Sequence, residues 1–226
     1  MRIIPFNLKL VNISKWSKIL KLDILSSSNK AKKMIVIGDG TPDDIVVAIL
    51  CHNFSCEDIV YVTKPEDKGI EALSAIRTYV EMFRQQILCY ILIIDQEDLK
   101  MRELSEYIVR KLNRLGITKE AIKEEKRLFH YSCNVGNKKF QLILVINGLD
   151  SIQSESHTIE DHLLSIGIDN NVINTPTTTS INSKLLWNSL GRDKQERILS
   201  LCNNKETLRN AFPQHYRAFE ILASIC

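Results

Sequence analysis

The strongest fold signal is the stretch Leu88-Cys89-Tyr90-Ile91-Leu92-Ile93-Ile94, which runs directly into Asp95-Gln96-Glu97-Asp98. A run that is apolar throughout and rich in isoleucine is typical of a strand buried on both faces. Such strands occur in parallel sheets that are covered by helices on both sides. The stretch therefore predicts a central strand with carboxylates at its carboxyl end.

Apolar, β-rich runs alternate with helical periodicity along the rest of the chain. Strands are predicted at 34–37, 59–63 and 140–146, and helices after the turn at 38–44 and at 67–86, 101–115 and from 157. Strands that alternate with helices indicate an α/β fold, with a mainly parallel central sheet flanked by helices.

Three further elements are predicted outside this alternation. Residues 119–125 are predicted to form a short helix. A hairpin follows, with its first arm at 128–133 and its turn at 134–138, and its second arm is the strand 140–146. The tail from Ser183 is predicted to hold two or three helices, broken near Asn203 and Pro213.

Charge divides the chain into unequal parts. The net charge is only +3, but residues 1–33 hold eight Lys and Arg residues against Asp23, so this segment carries +7 and the remainder −4. We predict three parts: a basic N-terminal segment at 1–33, an α/β core at 34–169 and a C-terminal helical extension at 170–226. The basic segment suits contact with phosphate backbones, or it is the ordinary solvated face of an amphipathic segment.

Composition and termini predict a cytoplasmic protein. No apolar stretch approaches the roughly 20 residues needed to span a bilayer, so no membrane association is expected. The N-terminal residues lack the apolar run and cleavage site of a secretory signal. The six cysteines are scattered without a CxxC pair, which is typical of reduced thiols. No feature of the sequence indicates an oligomeric state.

Acidic residues follow two of the predicted strands. Asp39, Asp43 and Asp44 come after the strand 34–37, and Asp95 and Glu97 come after the central strand. If these strands are parallel neighbours, their carboxylates meet at one edge of the sheet, where α/β proteins bind ligands. Clustered carboxylates need a cation or a proton between them, and oxygen ligands suit Mg²⁺ or Mn²⁺. The alternative is that these acids cap helices and lie in solvated turns.

Several enzyme classes are disfavoured by the motifs. Position 37, where haloacid-dehalogenase phosphatases carry their nucleophilic aspartate, is Ile37. Gly38-Asp39-Gly40 is not a dinucleotide fingerprint, because Asp43 stands where the third glycine belongs. The chain also lacks a P-loop, an HExxH pair and a GxSxG elbow.

The order of these motifs resembles the TOPRIM domain of topoisomerases, primases and OLD-type nucleases. In that family a first strand ends in Glu-Gly with a further acid, a later strand ends in Asp-x-Asp, and OLD-like members add another acid. The segments 35–44 and 93–97 look like the first two motifs, and 158–164 is similar to a segment in uncharacterised TOPRIM-like proteins of archaea and bacteria. The resemblance covers roughly residues 33–165 and implies a Rossmann-like fold.

The resemblance implies a specific set of site residues. It implies metal-binding and catalytic roles for Asp39, Asp95 and Glu97, with further metal ligands among Asp43, Asp44, Glu160 and Asp161. The implied reaction is Mg²⁺-dependent chemistry on phosphodiester bonds, with nucleic acid as partner and Lys32, Lys33 or the N-terminal arm on its backbone.

The sequence departs from the family pattern at two of the implied metal ligands. Aspartate stands where the family has its first glutamate, and Glu97 replaces the second aspartate of Asp-x-Asp. Two alternatives therefore stay open: a non-enzymatic module that keeps the fold and binds nucleic acid or a protein, and a nucleotide-binding protein that uses the same crevice.

Overall fold

The computed structural model describes residues 1–6, 24–28, 30–40, 42–54, 57–84, 86–154, 156–174 and 181–225. Within these ranges the chain forms an α/β fold, with one mostly parallel sheet of seven strands and eight α-helices. Most of the basic segment 1–33 lies outside the described residues. Of this segment, the structure describes a strand at Arg2–Phe6, the stretch 24–28, and the residues that lead into the second strand.

Five of the seven strands run parallel to one another. The other two are added at one edge of the sheet in antiparallel pairing. The strands are β1 (Arg2–Phe6), β2 (Lys33–Ile37), β3 (Ile59–Thr63), β4 (Cys89–Asp95), β5 (Thr118–Glu125), β6 (Leu128–Val135) and β7 (Lys138–Asn147). Their order across the sheet is β1-β3-β2-β4-β7-β6-β5. The neighbouring pairs within β1-β3-β2-β4-β7 are parallel, whereas β6 pairs antiparallel with both β7 and β5.

The eight described α-helices follow the strands or close the chain. They are α1 (Asp43–Asn53), α2 (Leu73–Phe83), α3 (Met101–Arg114), α4 (Ile159–Asp169), α5 (Ser183–Ser189), α6 (Arg192–Leu201), α7 (Lys205–Ala211) and α8 (Pro213–Ser224). A short 3₁₀ turn, Gly69–Ala72, precedes α2. None of these helices is both long and apolar enough to cross a membrane.

The central strands alternate their side chains between two hydrophobic layers. On β4, Ile91 and Ile93 pack with α1, α4 and the C-terminal helices, whereas Tyr90, Leu92 and Ile94 pack with α2 and α3. All seven residues of β4 are buried, as expected for a strand with helices on both faces. The prediction of a buried, central, parallel strand at 88–94 is confirmed.

The C-terminal helices share their core with one face of the sheet. Trp187, Ile198, Phe212 and Phe219 belong to the same buried cluster as Ile91 of β4. The described part of 183–225 contains four helices, so the prediction of two or three is wrong: an unpredicted break at 190–191 separates α5 from α6. The breaks predicted near Asn203 and Pro213 are confirmed. Asn204 caps α7 by accepting from the backbone of residues 206 and 207, and Pro213 begins α8.

The predicted helix at 119–125 is wrong, because these residues form the edge strand β5. The segment is rich in Lys and Glu, which favour helices in isolation. Pairing with β6 from Thr118 to Glu125 overrides that preference, because it satisfies the backbone of both strands. Charged side chains such as Lys123 also suit a sheet edge, where they discourage pairing with another chain. The hairpin formed by β6 and β7 is confirmed.

Candidate metal site at the carboxyl edge of the sheet

Neighbouring parallel strands bring the two acidic motifs together. β2 and β4 pair in register from Lys33 opposite Cys89 to Ile37 opposite Ile93, so both chains leave the sheet at the same edge. Immediately beyond that edge, Asp39 Oδ2 accepts a hydrogen bond of 2.9 Å from the backbone N–H of Asp95. Asp39, Asp95 and Glu97 each offer a carboxylate oxygen, and these atoms lie within 4.8 Å of one another. This group could hold a metal ion.

The first acid stands at position 39 because position 38 has no room for a side chain. A Cβ on Gly38 would lie 2.6 Å from Ile94 Cγ2 and 3.1 Å from the carbonyl oxygens of Ile93 and Gly69. The backbone of Gly38 also extends the strand pairing, since its N–H donates to Ile93 at 2.8 Å. Asp39 is thus the first residue after β2 whose carboxylate reaches the cluster.

Glu97 is held in an unusual backbone conformation. Its φ of +56° lies in the left-handed region, which costs a non-glycine residue about 1–2 kcal/mol. Two backbone hydrogen bonds with His157, of 3.1 and 3.0 Å, fix this conformation. The side chain is exposed, and its Oε2 accepts from Ser156 Oγ at 3.2 Å. Strain of this kind is typical of functional sites.

Asp95 offers one oxygen to the protein and keeps the other available. Its Oδ1 accepts from Asn147 Nδ2 at 2.7 Å and from the N–H of Ile159 at 3.2 Å. Among the described residues, none donates to Oδ2. Asn147 Nδ2 also donates to Asp43 Oδ1 at 2.9 Å, so one amide group links the two carboxylates.

The other predicted acids divide between the cluster and its surroundings. Asp43 joins the cluster through Asn147, and Glu160 is buried on α4 with its Oε2 lacking a hydrogen-bond partner among the described residues. Asp44 Oδ1 instead accepts from the backbone of the next residue at 2.9 Å. Asp161 Oδ2 accepts from the N–H of Leu149 at 3.2 Å and pairs with His157 Nδ1 at 2.5 Å. Asp44 and Asp161 thus bond to nearby backbone groups, and Asp161 also bonds to the side chain of His157.

Burial and mutual repulsion make the clustered acids hard to ionise. The pKa of Asp95 is raised well above 3.8, first by burial and then by the charges of Asp43 and Asp39. The pKa of Asp43 is raised in the same way, by burial and by Asp39. Burial also raises the pKa of Asp39 and of Glu160. An added positive charge at this edge would therefore stabilise the ionised carboxylates.

Two lysines supply positive charge near the acids. Burial lowers the pKa of Lys184, but the charges of the cluster, with Asp95 and Glu160 foremost, outweigh this effect and leave the pKa raised. Lys64, which directly follows β3, interacts with Asp39 and Asp43. Lys33 lies at the other end of β2, where it is buried and pairs with Asp58 at 2.8 Å. Lys33 is therefore not placed to contact a phosphate at this site, and contact through Lys32 or the N-terminal arm stays a prediction.

Sequence reasoning missed the non-acidic residues of the site. Asn147 directly follows the predicted strand 140–146, so the rule that located Asp39 and Asp95 also applied to it, but its side chain is neutral. Lys184 and His215 lie in the C-terminal tail, and no local pattern connects them to the strand ends. Only the packing of the C-terminal helices against the sheet brings His215 to Asn147, at 2.7 Å.

No protein-family model, curated protein or solved structure matches this chain. The site is therefore interpreted from its own geometry. Fold and site together define a Rossmann-like α/β protein with a group of acids at its carboxyl edge that could hold a metal ion.

Proposed function

We propose that this protein is a TOPRIM-like enzyme that uses Mg²⁺ or Mn²⁺ to act on phosphodiester bonds of nucleic acids. The observation that carries the proposal is the convergence of Asp39, Asp95 and Glu97, with ligand atoms within 4.8 Å, at the ends of two adjacent parallel strands. Carboxylate oxygens are the ligands that Mg²⁺ and Mn²⁺ prefer. A location beyond the carboxyl ends of parallel strands is where α/β folds bind ligands.

The donor set fits a hard divalent cation. All three candidate ligands are carboxylates, and Asp95 has one oxygen that no described residue occupies. The raised pKa values of Asp39 and Asp95 indicate that the site favours a positive charge, which a cation or a proton can supply. No sulfur ligand belongs to the group, which disfavours a structural zinc site.

Each side chain has a distinct part in the proposed chemistry. Asp39, Asp95 and Glu97 would hold the cation, which when bound polarises the phosphodiester and stabilises negative charge on its oxygens. Lys184 faces the same acids and would meet a non-bridging phosphate oxygen. If Asp39 does not hold the cation, its raised pKa suits it instead to general acid/base transfer.

The family resemblance supports the same assignment. The acids follow in the TOPRIM order, with Asp39 after the first strand, Asp95-Gln96-Glu97 after a later strand and Glu160 further on. Asp39 is one methylene shorter than the family's glutamate. In this chain the backbone itself brings Asp39 close, because its carboxylate reaches the N–H of Asp95 at 2.9 Å.

Metal titration is the first test. Mn²⁺ should bind the native protein, and Asp95→Asn should reduce the affinity at least 10-fold, since it removes a ligand charge. Asp98→Asn is the matched control, because Asp98 is an exposed acid of the same loop that lies outside the cluster. Equal binding by the native protein and Asp95→Asn would overturn the site.

Cleavage assays then test the reaction. Native protein, Asp95→Asn and Asp98→Asn are incubated with supercoiled DNA, single-stranded DNA and RNA, with Mg²⁺ or Mn²⁺ or with EDTA. We expect nicking or cleavage by the native protein and Asp98→Asn, dependent on the divalent ion and lost in Asp95→Asn. Metal binding without cleavage of any of these substrates would reject the nuclease and retain the metal site.

A second candidate is a non-enzymatic module that keeps the fold. The proximity of Lys184 favours it, because an ammonium group can neutralise part of the cluster without a metal. This candidate predicts no Mn²⁺ binding by the native protein. It also predicts nucleic-acid binding that weakens with salt and persists in EDTA, or binding to a protein partner.

A further inference from the structure

A buried chain of hydrogen bonds connects the last helix to the acids at the carboxyl edge. His215 lies on α8 and is fully buried. Its Nε2 lies 2.7 Å from Asn147 Oδ1, and Asn147 Nδ2 lies 2.7 Å from Asp95 Oδ1 and 2.9 Å from Asp43 Oδ1. The chain therefore runs from the C-terminal helices, through one amide group, to two carboxylates.

The chemistry of the acids fixes the orientation of the Asn147 amide. An amide can donate only from its nitrogen, and carboxylates beside a bound cation are ionised and can only accept. The nitrogen must therefore face Asp43 and Asp95, and the oxygen must face His215. His215 in turn must carry its proton on Nε2 in order to donate to that oxygen. If the amide were flipped, its oxygen would face two carboxylates and would repel both.

The backbone of Asn147 is held in place by the sheet and by Arg127. Asn147 is the residue of β7 directly opposite Asp95 in the parallel register, and its backbone oxygen accepts from Arg127 Nη1 at 3.1 Å. It is completely buried. With the backbone fixed, the side-chain rotation is the remaining freedom, and among the described residues His215 is the partner that restricts it from the oxygen side.

We propose that His215 is a positioning residue of the metal site, which acts through Asn147 to turn the free oxygen of Asp95 toward the cation. This inference rests on the proposed metal binding. Asn147 and Ile159 together occupy Asp95 Oδ1, and this leaves Oδ2 as the oxygen directed at the cluster. Without the donor from His215, the amide can rotate and Asp95 can turn with it. The C-terminal helices are then part of the metal site.

The environment of His215 supports a neutral ring that donates from one nitrogen. Burial lowers the pKa of His215 well below 6.5, so the ring carries a single proton. Its Nδ1 has no hydrogen-bond partner among the described residues, so the bond to Asn147 is its polar contact. His162 and Phe212 pack against the ring, with centroids 5.0 and 5.5 Å away.

The test measures Mn²⁺ affinity, by the electron paramagnetic resonance signal of free Mn²⁺, in a set of matched variants. His215→Phe keeps an aromatic ring but removes the donor, and it should weaken Mn²⁺ binding roughly 10–100-fold, as is usual when a partner that orients a metal ligand is lost. His215→Gln, whose amide nitrogen can replace Nε2, should restore most of the affinity. Phe212→Leu perturbs the same packing without touching Asn147 and should leave the affinity nearly unchanged.

The variants also separate the possible failures. If the native protein does not bind Mn²⁺, the proposed function fails. If the native protein binds and His215→Phe binds equally well, the positioning role alone is wrong. A loss of affinity in Phe212→Leu as large as in His215→Phe, or no rescue by His215→Gln, would show that His215 serves only the packing and would also overturn the proposal.

A double-mutant cycle provides the same test if His215→Phe does not fold. His215→Gln and His215→Leu are combined with Asn147→Ala. Because His215 acts through Asn147, His215→Leu should add little to the loss of Mn²⁺ affinity that Asn147→Ala already causes. Additive losses would contradict the proposed link.

Discussion

The two ends of the parallel strands arrange their charges in opposite ways. At the amino end, Lys33 begins β2 and pairs with Asp58 at 2.8 Å, so a buried cation has an anion beside it. At the carboxyl end, Asp39, Asp95 and Glu97 place three acids of the same sign within 4.8 Å. Two opposite charges stabilise each other in their ionised forms. Like charges in a buried site repel each other unless a proton or a cation lies between them.

This difference separates stability from function within one sheet. The hydrophobic side chains of β2 and β4 are buried along their whole length, so the strands themselves contribute to the core at both ends. Between these two ends, it is the carboxyl end that gathers charges of the same sign, which Lys184 and Lys64 offset in part. Groups whose pKa values are perturbed in this way cluster at functional sites, so the carboxyl end of the sheet is the candidate site.

The largest expected effect is stabilisation of the carboxyl end by a cation. Mn²⁺ at 100 times its dissociation constant should raise the free energy of unfolding by about 2.7 kcal/mol. For a chain of this size the melting temperature should rise by about 5–10 °C. Thermal unfolding followed by circular dichroism measures the shift. With affinity at least 10-fold weaker, the stabilisation of Asp95→Asn at the same Mn²⁺ concentration should be about 1.4 kcal/mol or less, so its melting temperature should rise by no more than about half as much. An equal shift in this variant would place the cation elsewhere.

A smaller effect is expected from breaking the ion pair at the amino end. Lys33→Met should lower the free energy of unfolding by about 1–2 kcal/mol, less than for a fully buried pair because Asp58 is 28% exposed. The stabilisation by Mn²⁺ should be the same as in the native protein. If Lys33→Met weakened Mn²⁺ binding, the two ends of the strands would not be independent.

Sequence reasoning reached the fold because its signals are local. The unbroken apolar run of β4 and the acids after it can be identified without knowing any contact, and the structure confirms the α/β class and the central parallel strand. The edge strand β5 was missed for the opposite reason. Its charged residues favour a helix locally, and only its pairing with β6 makes it a strand.

The site was predicted only as far as one rule extends, namely that α/β folds bind ligands beyond the carboxyl ends of their parallel strands. The rule located Asp39, Asp95 and Glu97 but could not show that β2 and β4 are adjacent, since strand order depends on packing. It also could not distinguish Glu160 from Asp161, which are neighbours on α4. The structure distinguishes them, because the charge of Glu160 helps to raise the pKa of Asp43 and Asp95, whereas Asp161 Oδ2 is bonded to His157 and Leu149.

A gain in stability is expected when one charge is removed from the carboxyl end. In metal-free buffer, Asp95→Asn should raise the melting temperature by about 2–4 °C, which corresponds to about 1 kcal/mol for a chain of this size. The amide oxygen can still accept from Asn147 and Ile159, and the repulsion from Asp39 and Asp43 disappears. Asp98→Asn should change the melting temperature little. A loss of stability in Asp95→Asn would contradict the view that these like charges destabilise the metal-free protein.

The smallest expected effect is the pH dependence of that gain. The pKa of Asp95 is raised above 3.8 in the folded protein, so protonation of Asp95 favours folding. This contribution is complete below the unfolded pKa and is lost as the pH rises through the folded pKa. The native protein is therefore penalised progressively at higher pH, whereas Asp95→Asn has no group to ionise at this position. The difference in melting temperature should grow with pH.

Buried histidines change the stability with pH in the direction opposite to Asp95. The quantity to measure is therefore the difference in melting temperature between the native protein and Asp95→Asn. Burial lowers the pKa of His162 to about 4 and that of His215 well below 6.5, so both histidines destabilise the fold as the pH falls below 6.5. Both proteins contain them, and their effects cancel in the difference. Melting temperatures of both proteins in EDTA from about pH 5 to about pH 8 should show the gain increasing toward alkaline pH. A gain that is constant with pH would mean that it does not arise from the charge of Asp95.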